Sequence, residues 1–340
     1  MGPVRTANTI AGIALAALLL SCGRPSADAR ENRNTEPERA APAAPSSPDS
    51  LAAGATTHAA MRHVLFHLQR DIILDIDWLE GELRPASDED PIVFDDPTSF
   101  SLHIDSGEIA LSMSALERLM NDWVFAYDDA PLKDLEFEVK DGKLRLNGKL
   151  DKLINIPFEI DASPTMTADG EILIHPDRMS TAGAVGNAIR KLLGLDLEEA
   201  VNLEGAVGVR AVGNDLFLDP SRLLPPPRIE GRIAEIVVRG GKLVQRFGTD
   251  TAAVDNGAES EDTGNYMHFV GGTLGFGKLR MLDADLRVID MDAEDPFDFS
   301  LADYKDQLIA GLSRTTESLG LDVFMPDLDD LRSKREKPRT

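Results

Sequence analysis

The chain has 340 residues, 35 Lys and Arg against 59 Asp and Glu for a formal charge of −24, and a single cysteine. So acidic a protein is repelled by phosphate backbones and by anionic bilayers, which excludes nucleic acid as a partner and membrane adhesion through basic patches. One cysteine excludes an internal disulfide, so an apolar core has to hold the fold.

Arg5 precedes an apolar run from Ile10 to Leu20 that ends in Leu19-Leu20-Ser21-Cys22. The run is shorter than the roughly 20 residues that a bilayer span requires and has the length of a cleaved export signal. Residues 1–21 therefore read as a signal peptide resembling those of bacterial lipoproteins. The resemblance makes Cys22 the acylated first residue of the mature chain, which is the membrane anchor. Gly23 stands where enteric lipoproteins kept at the inner membrane carry aspartate, and this points to the outer membrane; it does not say which face, and the periplasmic one is taken as the expectation. Loss of Arg5 with the signal makes the mature chain one charge more acidic still.

From Cys22 to residue 57 the sequence is rich in Ala, Pro, Ser and charged residues, with Pro25, Pro37, Pro42, Pro45 and Pro48 and almost no large apolar side chains. That is the composition of a disordered tether. Its reach, on the order of 30 Å, holds a domain near a membrane without packing it there.

The folded region is expected over 58–331, with a subdomain boundary near 248–265 and a basic tail over 332–340. Alternation of apolar and polar residues predicts strands at 64–69, 72–82 and 100–112. His63 and His67 lie four apart within such a strand and have no companion ligand motif, so they read as structural or exposed. Ser114 and Glu117 form a capping box ahead of a helix from Ala115 to about Phe125, with Leu116, Leu119, Met120, Trp123 and Val124 on one stripe.

Leu135, Phe137 and Val139 then alternate with charged residues up to Asp141-Gly142, a hairpin turn, and Leu144 and Leu146 alternate on the return. Ile154, Ile156, Phe158 and Ile160 continue the pattern. After the Asp169-Gly170 turn come Ile172 and Ile174. A second helix is expected near Thr181 to Leu193. Strands follow at 206–218, 229–247 and 279–289, and a third helix begins after Ser300 with Leu301, Tyr304, Leu308 and Leu312 in register.

Few motifs for chemistry survive. Gly272 to Lys278 has the glycine and lysine spacing of a phosphate-binding loop, but Leu279 replaces the Ser or Thr that would ligate magnesium, and the residues that follow alternate like a strand. These glycines are better read as permitting a bulge, a bend or close backbone approach. The acidic run from Asp290 to Asp295 lacks the turn glycine and distal glutamate of a helix-loop-helix calcium site; a looser site from Asp283, Asp285, Asp290 and Asp292 stays open beside the reading of solvated carboxylates. No Gly-x-Ser-x-Gly, HExxH or CxxC motif is present, so the expectation is a protein without catalytic residues, metal or cofactor.

The helix with Leu116 and Trp123, the strand pair around Asp141-Gly142, the run Ile154 to Ile160, the Asp169-Gly170 turn, and Phe217 to Pro227 leading into Ile233 to Gly241 together resemble the LmeA-type phospholipid-binding proteins of bacterial envelopes. More loosely they resemble tubular lipid-binding domains. The resemblance covers about 108–247. It implies an α+β fold in which a curved, mostly antiparallel sheet wraps one or more amphipathic helices around an apolar trough for acyl chains.

Two functions follow as expectations. The first is a tethered envelope lipoprotein that binds, or binds and transfers, phospholipid or another acyl-chain lipid. Its lining would comprise Leu116, Leu119, Trp123 and Val124 on the helix, with Leu135, Phe137, Val139, Leu144, Leu146, Ile154, Ile156, Phe158 and Ile160 on the sheet. The same residues equally suit a closed, ligand-free core. The second is a structural adaptor whose acidic surface docks an envelope protein partner.

Overall fold

Three long strands set the architecture, each carrying the period-two apolar pattern of a sheet buried on one face. They are β1 (Thr57–Gln69), β2 (Ile72–Pro85) and β4 (Phe100–Ser112), with the short β3 (Ile92–Val93) between the last two. The computed structural model describes residues 54–151, 155–180, 203–248 and 264–336. β2 runs antiparallel to β1 on one side and to β4 on the other.

Both outer edges of this trio change partner partway along. On β4, residues 101–104 pair in parallel with β11 (Arg228–Gly231), whereas residues 107–112 pair antiparallel with β13 (Lys242–Phe247), and β12 (Ile233–Arg239) lies beyond β13. On β1, residues up to Arg62 pair antiparallel with β14 (Tyr266–Val270), and Val64 to His67 pair in parallel with β18 (Phe297–Ser300). His63 sits at that second handover with φ +46°, a left-handed backbone that interrupts the strand. Beyond β14 the sheet continues through β17 (Asp285–Asp290), β20 (Leu321–Met325) and β19 (Leu312–Thr315), giving eleven strands in all. Residues 249–263, around the expected subdomain boundary, lie outside the described set; the strands on either side of them belong to this one sheet.

A second, antiparallel sheet has the order β5 (Leu132–Lys140), β6 (Lys143–Asp151), β7 (Asn155–Met166), β8 (Ile172–Ser180), β10 (Asp215–Leu218), β9 (Val209–Val212). Asp141 and Gly142, at φ +53° and +75°, make the expected hairpin turn between β5 and β6. A third, small sheet joins β3 to β15 (Thr273–Phe276) and β16 (Leu279–Leu282). The stretch from Gly272 to Leu279 is thus a β-hairpin, and the Gly277 N–H donates to the Tyr304 hydroxyl at 2.8 Å. Tyr304 closes an aromatic cluster with Phe94, Phe276 and Phe299 in the core.

The fold is therefore mostly β, with 57% strand, rather than the α+β balance expected. Its sheets are mixed, with parallel pairs at β4–β11, β1–β18, β17–β20 and β3–β15. Helices are short. The first, α1 (Met113–Leu119), starts two residues earlier than expected: the Ser112 hydroxyl accepts the Ala115 N–H at 3.1 Å, so Ser112 and not Ser114 is the cap. It passes into one turn of π-helix, Met120–Val124.

The others are α2 (Pro220–Leu223), α3 (Tyr304–Ala310) and α4 (Leu328–Glu336). α3 ends before Leu312, which lies in β19 and is exposed, because Gly311 leaves the helix in an extended conformation. α4 continues into the stretch expected to be a tail. The helix expected near Thr181 to Leu193 lies outside the described residues, as do the signal, Cys22 and the tether. Among the described residues no helix is long and apolar enough to cross a membrane.

Candidate ligand cleft

α1 packs between the two large sheets, against β5 on one side and β2 and β4 on the other. Toward β5 its contacts are polar. Glu117 accepts the Phe137 N–H at 2.9 Å, and Asn121 both accepts the Leu135 N–H at 2.9 Å and donates to the Leu135 carbonyl at 2.7 Å. β5 is an edge strand, and these side chains stand in for the missing neighbour. Glu117 thereby serves the sheet and not the helix cap that its spacing from Ser114 predicts.

On another face, Leu116 and Leu119 look into a cleft of about 710 Å³. One wall is the large sheet where β4 changes partner, with Ile104, Leu111, Ile229, Leu243 and Phe247. The other is the end of the second sheet, through Ile172, Leu218 and the β7–β8 turn, together with α2. Backbones crowd at the handover. Gly231 has φ +154°, and a Cβ there would fall 2.8 Å from the Ile104 carbonyl oxygen and 2.9 Å from Phe247; at Gly248, φ +91°, it would fall 2.9 Å from the Asp105 carbonyl oxygen. Both positions need glycine.

Of the residues expected to line a trough, Leu116 and Leu119 reach this cleft. Val124, Leu135, Phe137, Leu144, Ile156 and Ile160 are buried away from it, and Trp123, Val139, Leu146 and Phe158 are half-buried. Ile154 lies outside the described residues. The remaining lining comes from β4, β11, β13, β8, β10 and α2, segments whose convergence depends on long-range register. Two stretches named for the resemblance, the Asp169-Gly170 turn and the run Phe217 to Pro227, contribute residues to the lining.

Of the cleft's polar lining residues, Asp105, Asp169 and Arg232 are exposed, whereas His103 Nδ1 is buried without a hydrogen-bond partner among the described residues. Asp105, Asp169, Asp219 and Arg232 contribute to the lining, with His103 beside Asp105 at 3.7 Å. Asp219 caps α2 by accepting from the Ser221 N–H at 3.0 Å and its hydroxyl at 2.7 Å. Arg232 makes no side-chain hydrogen bond or ion pair with any described residue, and its carbonyl accepts the Gly248 N–H at 3.1 Å.

A second polar centre lies where β1 meets β18. His67 Nε2 lies 2.5 Å from Asp298 Oδ1, Asp298 also accepts the Asp329 N–H at the start of α4, and Asp327 accepts the Asp298 N–H at 2.6 Å. His67 is buried whereas His63 is exposed, the φ at His63 having turned the strand between them. Burial pushes the Asp327 carboxyl up to about 7, helped by the charges of Asp290, Asp295 and Asp298. Among the described residues no group of three His, Cys, Asp or Glu side chains is arranged to hold a metal ion.

Compared with family models, with known proteins and with solved structures, the chain matches none of them significantly.

Proposed function

We propose that this protein is a lipid-anchored bacterial envelope protein, tethered through Cys22 on the periplasmic side of the outer membrane, that takes up one acyl-chain lipid in the cleft beside α1. The cleft carries this reading. Its volume lies within the roughly 300–1,000 Å³ usual for small-molecule sites, its lining is largely aliphatic with Phe247, and its charged residues Asp105, Asp169 and Arg232 are exposed, as an amphiphile requires. Binding would work by solvation. Each CH₂ moved from water to such a wall contributes on the order of 0.8 kcal/mol, so a chain of ordinary length needs no specific polar contact to be held. The acidic surface keeps the domain off anionic headgroups, leaving the anchor and tether to set its distance from the bilayer.

Lipid extracted from purified full-length protein, beyond the covalent acyl groups, tests the reading, together with displacement of a fluorescent fatty-acyl probe. About one lipid per chain and saturable displacement are expected. A protein free of lipid that also fails to bind the probe, yet co-purifies with a stoichiometric envelope protein, would replace the lipid reading with the adaptor one. Cys22→Ser tests the anchor: the variant should leave the membrane fraction or accumulate as precursor.

A further inference from the structure

The rim of the cleft carries charge of both signs in a fixed order. Gly231 pairs with Ile104 as the last pair of the parallel β11–β4 register, and Arg232 and Asp105 are the residues that follow on the two segments, both lining the cleft. Asp169 comes from the opposite wall, in the β7–β8 turn. Arg232 is exposed and its guanidinium has no protein partner among the described residues. Asp105 is well exposed, with His103 Nε2 at 3.7 Å. Asp219 is already engaged in capping α2. At the mouth of an apolar cleft there thus stand one uncommitted cation and two carboxylates, in a protein of charge −24.

We infer that the lipid taken by this cleft bears a zwitterionic phosphate–amine headgroup, its phosphate on Arg232 and its ammonium between Asp105 and Asp169. The inference rests on the lipid-binding reading above and narrows it. A guanidinium offers paired N–H donors suited to phosphate oxygens. A headgroup with phosphate alone would satisfy Arg232 but would bring a net negative charge up to Asp105, Asp169 and the acidic surface as a whole. An amine on the same headgroup removes that repulsion and adds an attractive pair. The rim is wet, so each pair is worth little alone and the discrimination is a matter of several small terms acting in one direction.

The test uses the full-length protein in a mild non-ionic detergent and four short-chain probes: dioctanoyl phosphatidylethanolamine, dioctanoyl phosphatidylglycerol, dioctanoylglycerol, and glycerophosphoethanolamine without acyl chains. Phosphatidylethanolamine should bind roughly five- to tenfold more tightly than phosphatidylglycerol at low ionic strength, the ratio shrinking as salt is raised. Glycerophosphoethanolamine should not compete, since the chains supply the affinity. Arg232→Gln should bring phosphatidylethanolamine to the level of dioctanoylglycerol, and Asp105→Asn with Asp169→Asn should erase the preference over phosphatidylglycerol. Because these side chains are exposed, the variants should keep the parent melting temperature. Equal binding of the two phospholipids, or a preference unchanged in both variants, overturns the headgroup assignment while leaving acyl-chain binding intact. Failure of every probe, dioctanoylglycerol included, overturns the lipid reading and this inference with it.

Discussion

Asn121 satisfies both backbone groups of Leu135, accepting its N–H and donating to its carbonyl, across 14 positions of sequence. The pair lies beside the bulge between Lys133 and Glu136, where the β5–β6 register shifts. With Glu117 bonding Phe137, the helix closes the outer edge of the second sheet with side chains instead of another strand.

Replacing Asn121 by Leu should therefore cost more than a surface substitution does. Two backbone groups of the buried residue Leu135 lose their partners, and each unsatisfied buried group costs about 1–3 kcal/mol. We expect a loss of about 2 kcal/mol in chemical denaturation. Asn121→Asp, which keeps the acceptor and loses the donor, should fall between. A Leu variant as stable as the parent would mean that water replaces these bonds freely.

The His67–Asp298–Asp327 centre predicts a stability that declines with rising pH. Burial on its own would lower the His67 pKa, but the hydrogen bonds to Asp298 and to the Arg70 carbonyl outweigh it and the pKa is raised. That stabilisation is fully present below the histidine's unfolded pKa and disappears as pH rises through its folded pKa. Burial likewise raises Asp290. With Asp327 at about 7, the folded state holds more protons than the unfolded one between the ordinary carboxylate range and neutrality, so these groups too favour folding less as pH rises.

Asp161, held down by the Arg145 hydrogen bond, contributes the opposite way, its stabilisation being lost in acid. Asp322 does the same: burial would raise its pKa, but Arg287 and Arg314 outweigh it and lower it. Melting temperature should thus peak at mildly acidic pH. Asp327→Asn, which still accepts the Asp298 N–H, should raise the melting temperature at pH 8 and leave it unraised at pH 5. A parent protein as stable at pH 8 as at pH 5 would show that the cluster is not coupled to folding.

Leu116 and Ile156 separate a cleft from a packed core. Leu116→Trp grows into open space, so it should leave stability within about 1 kcal/mol of the parent and reduce bound lipid. Ile156→Trp pushes bulk into a filled interior and should cost about 1–3 kcal/mol with lipid stoichiometry unchanged. Thermal melts and lipid extraction on the same preparations check both. Equal destabilisation by the two changes would mean that the cleft is closed in solution.

Gly231→Ala places a methyl group against the Ile104 carbonyl and Phe247, at a backbone angle that residues with a side chain rarely adopt. A cost of about 1–3 kcal/mol is expected in urea unfolding. Since the strain falls where β11 leaves β4, binding of the acyl probe should weaken as well. A neutral effect on stability would place the β11–β4 junction elsewhere.

Much of the local structure is legible in the sequence. The alternation through Leu135, Phe137 and Val139, the Asp141-Gly142 turn and the return through Leu144 give β5 and β6 in their register, since the signals lie within a few residues of one another. The helix stripe is legible too, but its exact start is not, because Ser112 and Ser114 are equally good caps until β4 fixes where the strand ends. The cleft is only half legible. Leu116 and Leu119 can be picked out by helical spacing, whereas Ile229, Leu243 and Phe247 join them only because β4 accepts two partners on one edge. Of the strand face expected to complete a trough, Leu135, Phe137, Leu144, Ile156 and Ile160 are buried and Val139, Leu146 and Phe158 half-buried, and none of them lines this cleft. Alternation tells which side of a strand is apolar; it does not tell what will cover that side.

β1 is the first described strand, and its outer edge is covered only by strands from the last quarter of the sequence. Its neighbours there are β14 and β18, and His67 waits for Asp298, 231 positions further on. A growing chain that has reached only residue 250 therefore holds β1, β2 and β4 with one full row of backbone donors and acceptors bare, a template for pairing with any extended segment nearby. No N-terminal portion can finish early and wait. The final quarter of the sequence acts as a clasp, and a chain cut short of β18 should be aggregation-prone however well its first half is formed.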